Sequence, residues 1–367
     1  MQWKEQLLTL APYQPGRPIE SVKREYGLEH IVKLASNENP FGASPKAVTA
    51  LKEAVANFAI YPEGYATRLR EAMTTFLDVD QNQLIFGNGA DNLIQIVSRA
   101  FLHQGKNTVM ADPTFSQYKH NAIIEGAEIR EIPLINGEHD LDSMISAIDE
   151  NTAVVWVCSP NNPTGVHITK DKMISFLNNV PKETLVVIDD AYHDYVVADD
   201  YYDALEFAKT MPNVIVLRTF SKIYGLAALR IGYGVAHQDI IRALEPVREP
   251  FNVNTLGQIA AIAAIDDQEY VNECRRRNRG GMAQFETFCN EKQLKYYPSQ
   301  ANFILIDFGT SGNEVFQYLL ERGYIVRSGN ALGFPTSVRV TVGSVEENNG
   351  VMEVMNQYLK EKASLSR

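Results

Sequence analysis

Three stretches of the chain end a run of apolar residues abruptly in polar ones: TAVVWVCSPNNPTG (residues 152–165), TLVVIDDAYHDY (184–195) and NVIVLRTFSKIYGLAALR (213–230). Continuous apolar runs of this length, rich in β-branched residues, are typical of strands buried on both faces of a parallel sheet. In such sheets ligands bind beyond the carboxyl ends of the strands. The polar residues that follow each run are therefore the candidate functional site.

The flanking sequence alternates strand and helix patterns, which predicts an α/β fold with a mostly parallel sheet. Further strands are predicted in LIFGNG (84–89), NTVMADP (107–113), EIREIPL (128–134) and LRIGYGVA (229–236). Helical patterns occur in PKAVTALKEAVANFA (45–59), ADNLIQIVSRAFL (90–102), DKMISFLNN (171–179) and YDALEFAKT (202–210). Ser44 followed by Pro45 is a typical helix start.

After about residue 250 the pattern changes to α+β, with a long helix from about Tyr270, shorter strands in NFILIDF (302–308), YIVR (324–327) and SVRVTV (337–342), and a final helix. We therefore expect a large domain over residues 36–250. Residues 251–367 form a smaller domain in this prediction, to which residues 1–35 are added as an N-terminal arm.

Composition excludes several classes of protein. The 367 residues carry 34 Lys and Arg against 45 Asp and Glu, a net charge of −11, which disfavours nucleic acid as a partner. Three scattered cysteines fit neither a disulfide framework nor a metal site, so no metal is predicted. The N-terminus lacks the apolar core of a signal peptide, and no apolar run approaches the ~20 residues of a membrane span. We expect a cytoplasmic protein without a membrane partner.

Taken singly, each polar strand end has an ordinary structural explanation, since glycine turns and loop-capping aspartates are common. Together they match the needs of pyridoxal phosphate. This cofactor requires a lysine amine, a carboxylate at its ring nitrogen, donors to its phenolic oxygen, an aromatic face, and a phosphate cup of amides, hydroxyls and an arginine. All of these groups follow strands in this sequence.

The motifs GNGADN (87–92), PTFSQY (113–118), SPNNPTG (159–165), DDAYHDY (189–195) and TFSKIYGLAALRIGY (219–233) resemble those of the fold-type I pyridoxal-phosphate aminotransferases, and within them the histidinol-phosphate aminotransferases. LAPYQPG (10–16), ASNENPFGASP (35–45) and YPEG (61–64) strengthen the resemblance, which covers about residues 10–358. It implies an aspartate aminotransferase-like fold with a seven-stranded sheet in the large domain.

The resemblance also implies a role for each matching residue. Lys222 matches the Schiff-base lysine, Asp189 the acid at the pyridinium nitrogen, and Tyr192 a donor to the phenolic oxygen; these three are the predicted catalytic residues. The remaining predicted cofactor ligands are the stacking ring Phe115, the phenolic-oxygen donor Asn162, and a phosphate cup of Gly89, Ala90, Asp91, Thr219, Ser221 and Arg230. Asp190 is predicted to be a neighbour of the site and not a partner of the ring.

Two further predictions concern the subunit and the substrate. Tyr61 resembles a residue that reaches the phosphate of the other subunit, which implies a homodimer. The substrate anion is assigned to Tyr13, Asn162, Arg327 and Arg339, because an arginine fork binds carboxylate or phosphate bidentately.

The implied reaction converts L-histidinol phosphate and 2-oxoglutarate to imidazole acetol phosphate and glutamate, in histidine biosynthesis. Alternatives are an aromatic amino-acid aminotransferase and an enzyme like threonine-phosphate decarboxylase. A non-catalytic sensor domain fused to a DNA-binding module is disfavoured by the net charge and by the shortness of the N-terminal arm.

Overall fold

The computed structural model describes residues 1–8, 10–12, 16–54 and 59–365. The strands are β1 (Val32–Lys33), β2 (Leu84–Gly87), β3 (Asn107–Asp112), β4 (Glu128–Pro133), β5 (Thr152–Cys158), β6 (Leu185–Asp189), β7 (Val214–Thr219), β8 (Gly232–Ala236), β9 (Lys295–Tyr296), β10 (Phe303–Asp307), β11 (Tyr324–Ile325), β12 (Arg327–Ser328) and β13 (Ser337–Thr341).

The α-helices are α1 (Ile19–Tyr26), α2 (Pro45–Glu53), α3 (Thr67–Leu77), α4 (Ala90–Phe101), α5 (Gln117–Glu125), α6 (Leu141–Ser146), α7 (Lys170–Asn179), α8 (Ala204–Thr210), α9 (Gln238–Leu244), α10 (Thr255–Ile265), α11 (Gln268–Lys292), α12 (Gly312–Leu320) and α13 (Val345–Leu365). Short 3-10 turns lie at Glu5–Leu8, Gln81–Gln83, His193–Tyr195, Ala227–Leu229, Glu245–Val247 and Gly329–Leu332.

The central sheet has seven strands in the order β2-β8-β7-β6-β5-β3-β4. All of them run parallel except β8, which is antiparallel to both β2 and β7. The chain between β7 and β8 holds only a 3-10 turn, and a parallel return would need a full crossover connection, usually through a helix. The predicted α/β fold with a mostly parallel sheet is confirmed.

Helices cover both faces of this sheet, as continuous apolar strands require. Successive side chains of β5 enter opposite cores: Val155 and Val157 pack on one face, and Val154 and Trp156 on the other. The predicted start of α2 is also present, because Ser44 Oγ accepts a hydrogen bond from Ala47 N at 3.3 Å. This helix ends at Glu53, earlier than the pattern predicted, and residues 55–58 lie outside the described part of the chain.

A second layer consists of a four-stranded antiparallel sheet, β12-β13-β10-β9, packed against α11, α12 and α13. The predicted strand at 324–327 is divided: β11 pairs with β1, and β12 pairs with β13. Part of the N-terminal segment joins this layer, since Val22 of α1 packs with Leu320 and Ile325.

No helix in the described ranges has the length and apolarity needed to cross a membrane. The three cysteines, Cys158, Cys274 and Cys289, are all free and buried. Among residues 1–8, 10–12, 16–54 and 59–365, no group of three potential metal ligands was found.

Candidate active site

A cavity of about 530 Å³ lies where β5, β6 and β7 end, between the central sheet and the second layer. Twelve of the predicted site residues line it: Ala90, Asp91, Phe115, Asn162, Asp189, Tyr192, Thr219, Ser221, Lys222, Arg230, Arg327 and Arg339. They meet here because parallel strands bring their carboxyl ends to one edge of the sheet.

Two further predicted residues, Gly89 and Tyr61, are not among the lining residues, and a third lies outside the described part of the chain. Gly89 caps α4 and lies directly against the Arg230 guanidinium at the edge of the cavity. Tyr61 is not among the lining residues; it is 77% exposed and stacks on Phe251 with ring centroids 4.7 Å apart. Tyr13 lies outside the described residues.

Lys222 follows β7 by three residues and points into the cavity. Its Nζ donates to the carbonyl of Ser36 at 3.4 Å and lies 5.5 Å from the centroid of the Tyr192 ring. Burial, together with the nearby Arg339 charge, lowers the pKa of Lys222 to about 8. The site therefore presents an amine that is partly uncharged near neutral pH and able to act as a nucleophile or base.

Asp189 ends β6 and is buried. Its Oδ2 accepts a hydrogen bond from the Tyr118 hydroxyl at 2.5 Å, and its Oδ1 accepts one from Ala191 N at 3.2 Å. Burial raises the pKa of this carboxyl to about 6, and the two hydrogen bonds oppose the rise. A buried carboxylate facing a cavity is suited to hold a cationic group of a bound molecule.

Tyr118 is a functional neighbour that the sequence analysis missed. The residue belongs to the quoted PTFSQY motif, but only the fold brings it to Asp189, 71 positions away. The Tyr118 ring is fully buried and stacks on Trp156, with centroids 4.8 Å apart and planes at 10°.

Asp190 points away from the cavity. Its carboxylate forms a buried ion pair with Arg218 at 2.8 Å and accepts a hydrogen bond from the Tyr201 hydroxyl at 2.7 Å. Burial raises the pKa of Asp190 to about 7, although the Arg218 charge acts in the opposite direction. The two adjacent aspartates thus lie in separate environments, and only Asp189 is available to a ligand.

The Tyr192 hydroxyl and Asn162 lie on the side of the cavity nearest the second layer. Asn37 Nδ2 donates to the Tyr192 oxygen at 3.0 Å, and burial raises the pKa of this phenol. Asn37 also went unassigned in the sequence analysis, although it lies in the quoted ASNENPFGASP segment. Its contact spans 155 residues, so no local pattern could have identified it.

Arg339 connects this side of the cavity to the N-terminal segment. Its Nη1 donates to Asn162 Oδ1 at 2.6 Å, and its Nη2 donates to the carbonyl of Ala35 at 2.8 Å. Arg327, on the neighbouring strand β12, lies directly opposite Arg339 in the antiparallel pairing of β12 with β13. Two guanidinium groups at one wall can bind an anionic ligand.

An anion cup surrounds the N-terminus of α4. Gly89 has a φ of 78°, which favours glycine. Gly232 packs against this turn so closely that a Cβ at Gly232 would lie 2.8 Å from the carbonyl carbon of Gly89. Arg230 donates to Ser221 Oγ at 3.2 Å and lies 3.5 Å from Asp91. Free amides, a hydroxyl and an arginine at a helix start suit a phosphate.

These groups fit pyridoxal phosphate. The cavity has room for it, the cup would hold its phosphate, and the buried carboxylate of Asp189 would face its ring nitrogen. Phe115 lines the same cavity and offers an aromatic face, while Lys222 offers the amine. No residue that the cofactor chemistry requires is missing from the described chain.

Comparison with known proteins adds independent findings. The family model "Aminotransferase class I and II" matches residues 29–355. The chain is 59% identical over 362 residues to the histidinol-phosphate aminotransferase of Geobacillus sp. (strain WCH70), covering 99% of each chain. It is 55% identical over 360 residues to the same enzyme of Bacillus subtilis (strain 168), covering 98% of this chain and 100% of the relative.

Solved structures share the fold. The histidinol-phosphate aminotransferase from Sinorhizobium meliloti, in complex with pyridoxal-5'-phosphate, superposes with a TM-score of 0.88 at 24% identity, covering 97% of this chain and 98% of that one. A double mutant of Thermus thermophilus aspartate aminotransferase superposes with a TM-score of 0.84 at 20% identity, covering 97% and 99%. The predicted aspartate aminotransferase-like architecture is confirmed.

Proposed function

The chain belongs to the class I and II aminotransferases and, within them, to the histidinol-phosphate aminotransferases, and on that premise we propose that it transfers the amino group between L-histidinol phosphate and 2-oxoglutarate with pyridoxal 5'-phosphate as cofactor. The products are imidazole acetol phosphate and glutamate, in histidine biosynthesis. The observation that carries the proposal is the single cavity that joins Lys222, Asp189 and the anion cup to Arg339. The expected cytoplasmic location stays a prediction.

When bound, pyridoxal phosphate supplies an electrophilic carbonyl carbon and a ring that accepts an electron pair. Asp189 keeps a proton on the ring nitrogen, because its carboxylate is buried and is oriented by Tyr118. Tyr192 and Asn162 donate to the phenolic oxygen, and Phe115 covers one face of the ring. The phosphate would be held by Arg230, by the hydroxyls of Thr219 and Ser221, and by the turn of Gly89, Ala90 and Asp91 at the start of α4.

Lys222 is the proton carrier of the reaction. Its amine, with a pKa of about 8, is neutral in a useful fraction of molecules near pH 7.5. It can therefore take a proton from the substrate Cα and deliver it to C4′ of the cofactor without leaving the cavity. The Tyr192 ring beside Nζ limits the positions the amine can occupy.

The substrates bind through their anionic ends. Histidinol phosphate carries a phosphate, and glutamate carries a second carboxylate at the corresponding end. Arg339, assisted by Arg327 and Asn162, can bind either group because a guanidinium accommodates both anions. Tyr13 is proposed as a further donor to the same anion.

We further propose a homodimer in which Tyr61 reaches the cofactor phosphate of the partner. Tyr61 is 77% exposed and is not among the residues that line its own cavity, while its neighbours Ile60 and Tyr65 are 66% and 67% exposed. Large aromatic and aliphatic side chains grouped on a surface are typical of an interface.

The test is a comparison of amino donors under single-turnover conditions. The expected result is a higher kcat/KM for histidinol phosphate than for phenylalanine or tyrosine. A preference for either aromatic amino acid would contradict the proposal and support an aromatic amino-acid aminotransferase. Release of carbon dioxide from threonine phosphate would instead support the decarboxylase alternative.

A further inference from the structure

Asn161 is a fully buried residue with every polar atom of its side chain engaged. Its Oδ1 accepts hydrogen bonds from Thr114 Oγ1 at 2.7 Å and from His139 Nε2 at 3.3 Å. Its Nδ2 donates to the carbonyl of Pro113 at 3.3 Å and to Thr164 Oγ1 at 3.2 Å. One amide therefore ties together three segments of the chain.

These hydrogen bonds of Asn161 lie beyond the end of the backbone pairing between β3 and β5. Pairing between β3 and β5 ends at Met110 and Trp156, two residues before each strand ends, and loops follow Asp112 and Cys158. The first loop carries Phe115, directly after Thr114, and the second carries Asn162, directly after Asn161. Both Phe115 and Asn162 line the cavity. Beyond the end of the β3–β5 pairing, the hydrogen bonds of the Asn161 side chain to Pro113 and Thr114 connect these two loops.

The surroundings select one orientation of the amide. His139 Nε2 lies 3.3 Å from Oδ1, which can only accept, so this nitrogen carries the ring proton in that pairing. The carbonyl of Pro113 accepts only, which requires Nδ2 on the opposite side. An oriented, fully bonded amide is rigid because any rotation would leave buried polar atoms unpaired.

We propose that Asn161 is a positioning residue, whose bonds to the loop of Thr114 set the separation between Phe115 at the cofactor ring and Asn162 at the substrate anion. The inference rests on the proposed function, because the cofactor and the substrate anion that it names are those of the proposed reaction. Asn161 itself is not among the residues that line the cavity. Its effect on the reaction passes through Asn162, the next residue in sequence, and through Thr114 to Phe115.

The experiment uses the full-length enzyme and two substitutions at Thr114. Thr114→Val keeps the shape and removes the 2.7 Å donor to Asn161, whereas Thr114→Ser keeps the hydroxyl. The loss of one hydrogen bond of ordinary strength corresponds to a change of about five- to tenfold in an equilibrium constant, and Asn161 Oδ1 keeps its contact with His139 Nε2 at 3.3 Å. We expect Thr114→Val to raise both the pyridoxal phosphate Kd, from fluorescence titration of cofactor-free protein, and the KM for histidinol phosphate by this factor. kcat should change by less than about twofold, and Thr114→Ser should restore both constants.

Asn107→Ala is the matched control. Asn107 is also buried and bonded by its side chain, to Asp149 at 2.8 Å and from Thr152 at 2.7 Å, but at the opposite end of β3 and β5. It should lower the melting temperature without changing the cofactor Kd or the substrate KM. Asn161→Ala should lower the melting temperature to a similar extent and also raise both constants.

Two results would overturn the inference while leaving the proposed function standing. One is equal Kd and KM values for Thr114→Val, Thr114→Ser and wild type; the other is an equal loss of binding in Asn107→Ala. Failure of the wild-type enzyme to bind pyridoxal phosphate or to use histidinol phosphate would be seen in the wild-type measurement alone. That result would overturn the proposed function and this inference with it.

Discussion

Tyr118→Phe is the substitution that most directly tests the electrostatics of the site. It removes the hydroxyl that donates to Asp189 at 2.5 Å and keeps the ring that stacks on Trp156. Packing around the carboxylate should therefore survive. Among the described residues, the Asp189 carboxylate keeps the hydrogen bond from Ala191 N at 3.2 Å.

The size of the effect follows from the strength of the lost bond. A hydrogen bond to a charged group contributes about 1.5–3 kcal/mol, and 1.36 kcal/mol corresponds to one pKa unit. Because the bond favours the ionised carboxylate, its loss raises the pKa of Asp189 by about one to two units. In the cofactor-free protein this pKa should move from about 6 to about 7 or 8. Asp189 would then be partly protonated at neutral pH.

The assay is the pH dependence of pyridoxal phosphate binding to the cofactor-free protein between pH 5 and 9. Only an ionised Asp189 can pair with a protonated ring nitrogen, so the affinity falls as the pH falls through the pKa of Asp189. The ratio of variant to wild-type association constants cancels the titrations of the cofactor itself. This ratio should approach one above about pH 9 and fall to about one tenth to one hundredth near pH 5.

Tyr201→Phe is the matched control, because its hydroxyl bonds to Asp190 at 2.7 Å and not to Asp189. The ratio of the Tyr201→Phe to the wild-type association constant for pyridoxal phosphate should be independent of pH. A flat ratio for Tyr118→Phe, within twofold of one from pH 5 to 9, would refute the assignment of Asp189 as the ring-nitrogen partner oriented by Tyr118.

Four further outcomes are expected. Acetic anhydride labelling of Lys222 in cofactor-free protein, followed by mass spectrometry, should increase with pH around a midpoint of about 8; a midpoint above 10 contradicts the lowered pKa. Asp190→Asn should lower the free energy of unfolding by about 3 kcal/mol in urea, because the buried Arg218 charge is then left with the half-exposed Asp203 carboxylate at 3.0 Å, yet keep the cofactor Kd within about twofold. Arg339→Lys should reduce kcat/KM for histidinol phosphate more than about tenfold, since a lysine lacks the fork; unchanged kinetics would exclude Arg339 from the anion site. Mixing inactive Tyr61→Ala and Lys222→Ala proteins should restore about a quarter of the wild-type activity, because half of the dimers are hybrids with one intact site, and a fully active monomer by light scattering would rule this out.

The central sheet could be predicted because its strands are long, apolar and followed by conspicuous polar residues. Residues 152–158 show this best, with seven apolar or β-branched residues and no charge. The direction of β8 could not be predicted, because its glycine-rich sequence is compatible with either direction and only its short connection to β7 decides. The division of residues 324–328 between two sheets could not be predicted either, since two strands of two residues each carry too little pattern to identify a strand partner.

Much of the site could also be predicted, because its residues follow strands that end at one edge. Lys222, Asp189 and Asn162 all lie within four residues of a strand end. The residues that orient these side chains could not be predicted. Tyr118 reaches Asp189, and Asn37 reaches Tyr192, only through the tertiary fold.

The pair Asp189 and Asp190 shows why a motif alone does not define a site. Successive side chains of a strand point to opposite faces, so the last residue of β6 and the one after it leave the sheet in different directions. Asp189 meets a hydroxyl and the cavity, whereas Asp190 meets the buried Arg218. Both carboxyls have raised pKa values because both are buried, so burial and pKa alone do not distinguish them. The difference lies in the partner: the charge of Asp190 is already compensated within the protein, and that of Asp189 is left for a bound cation.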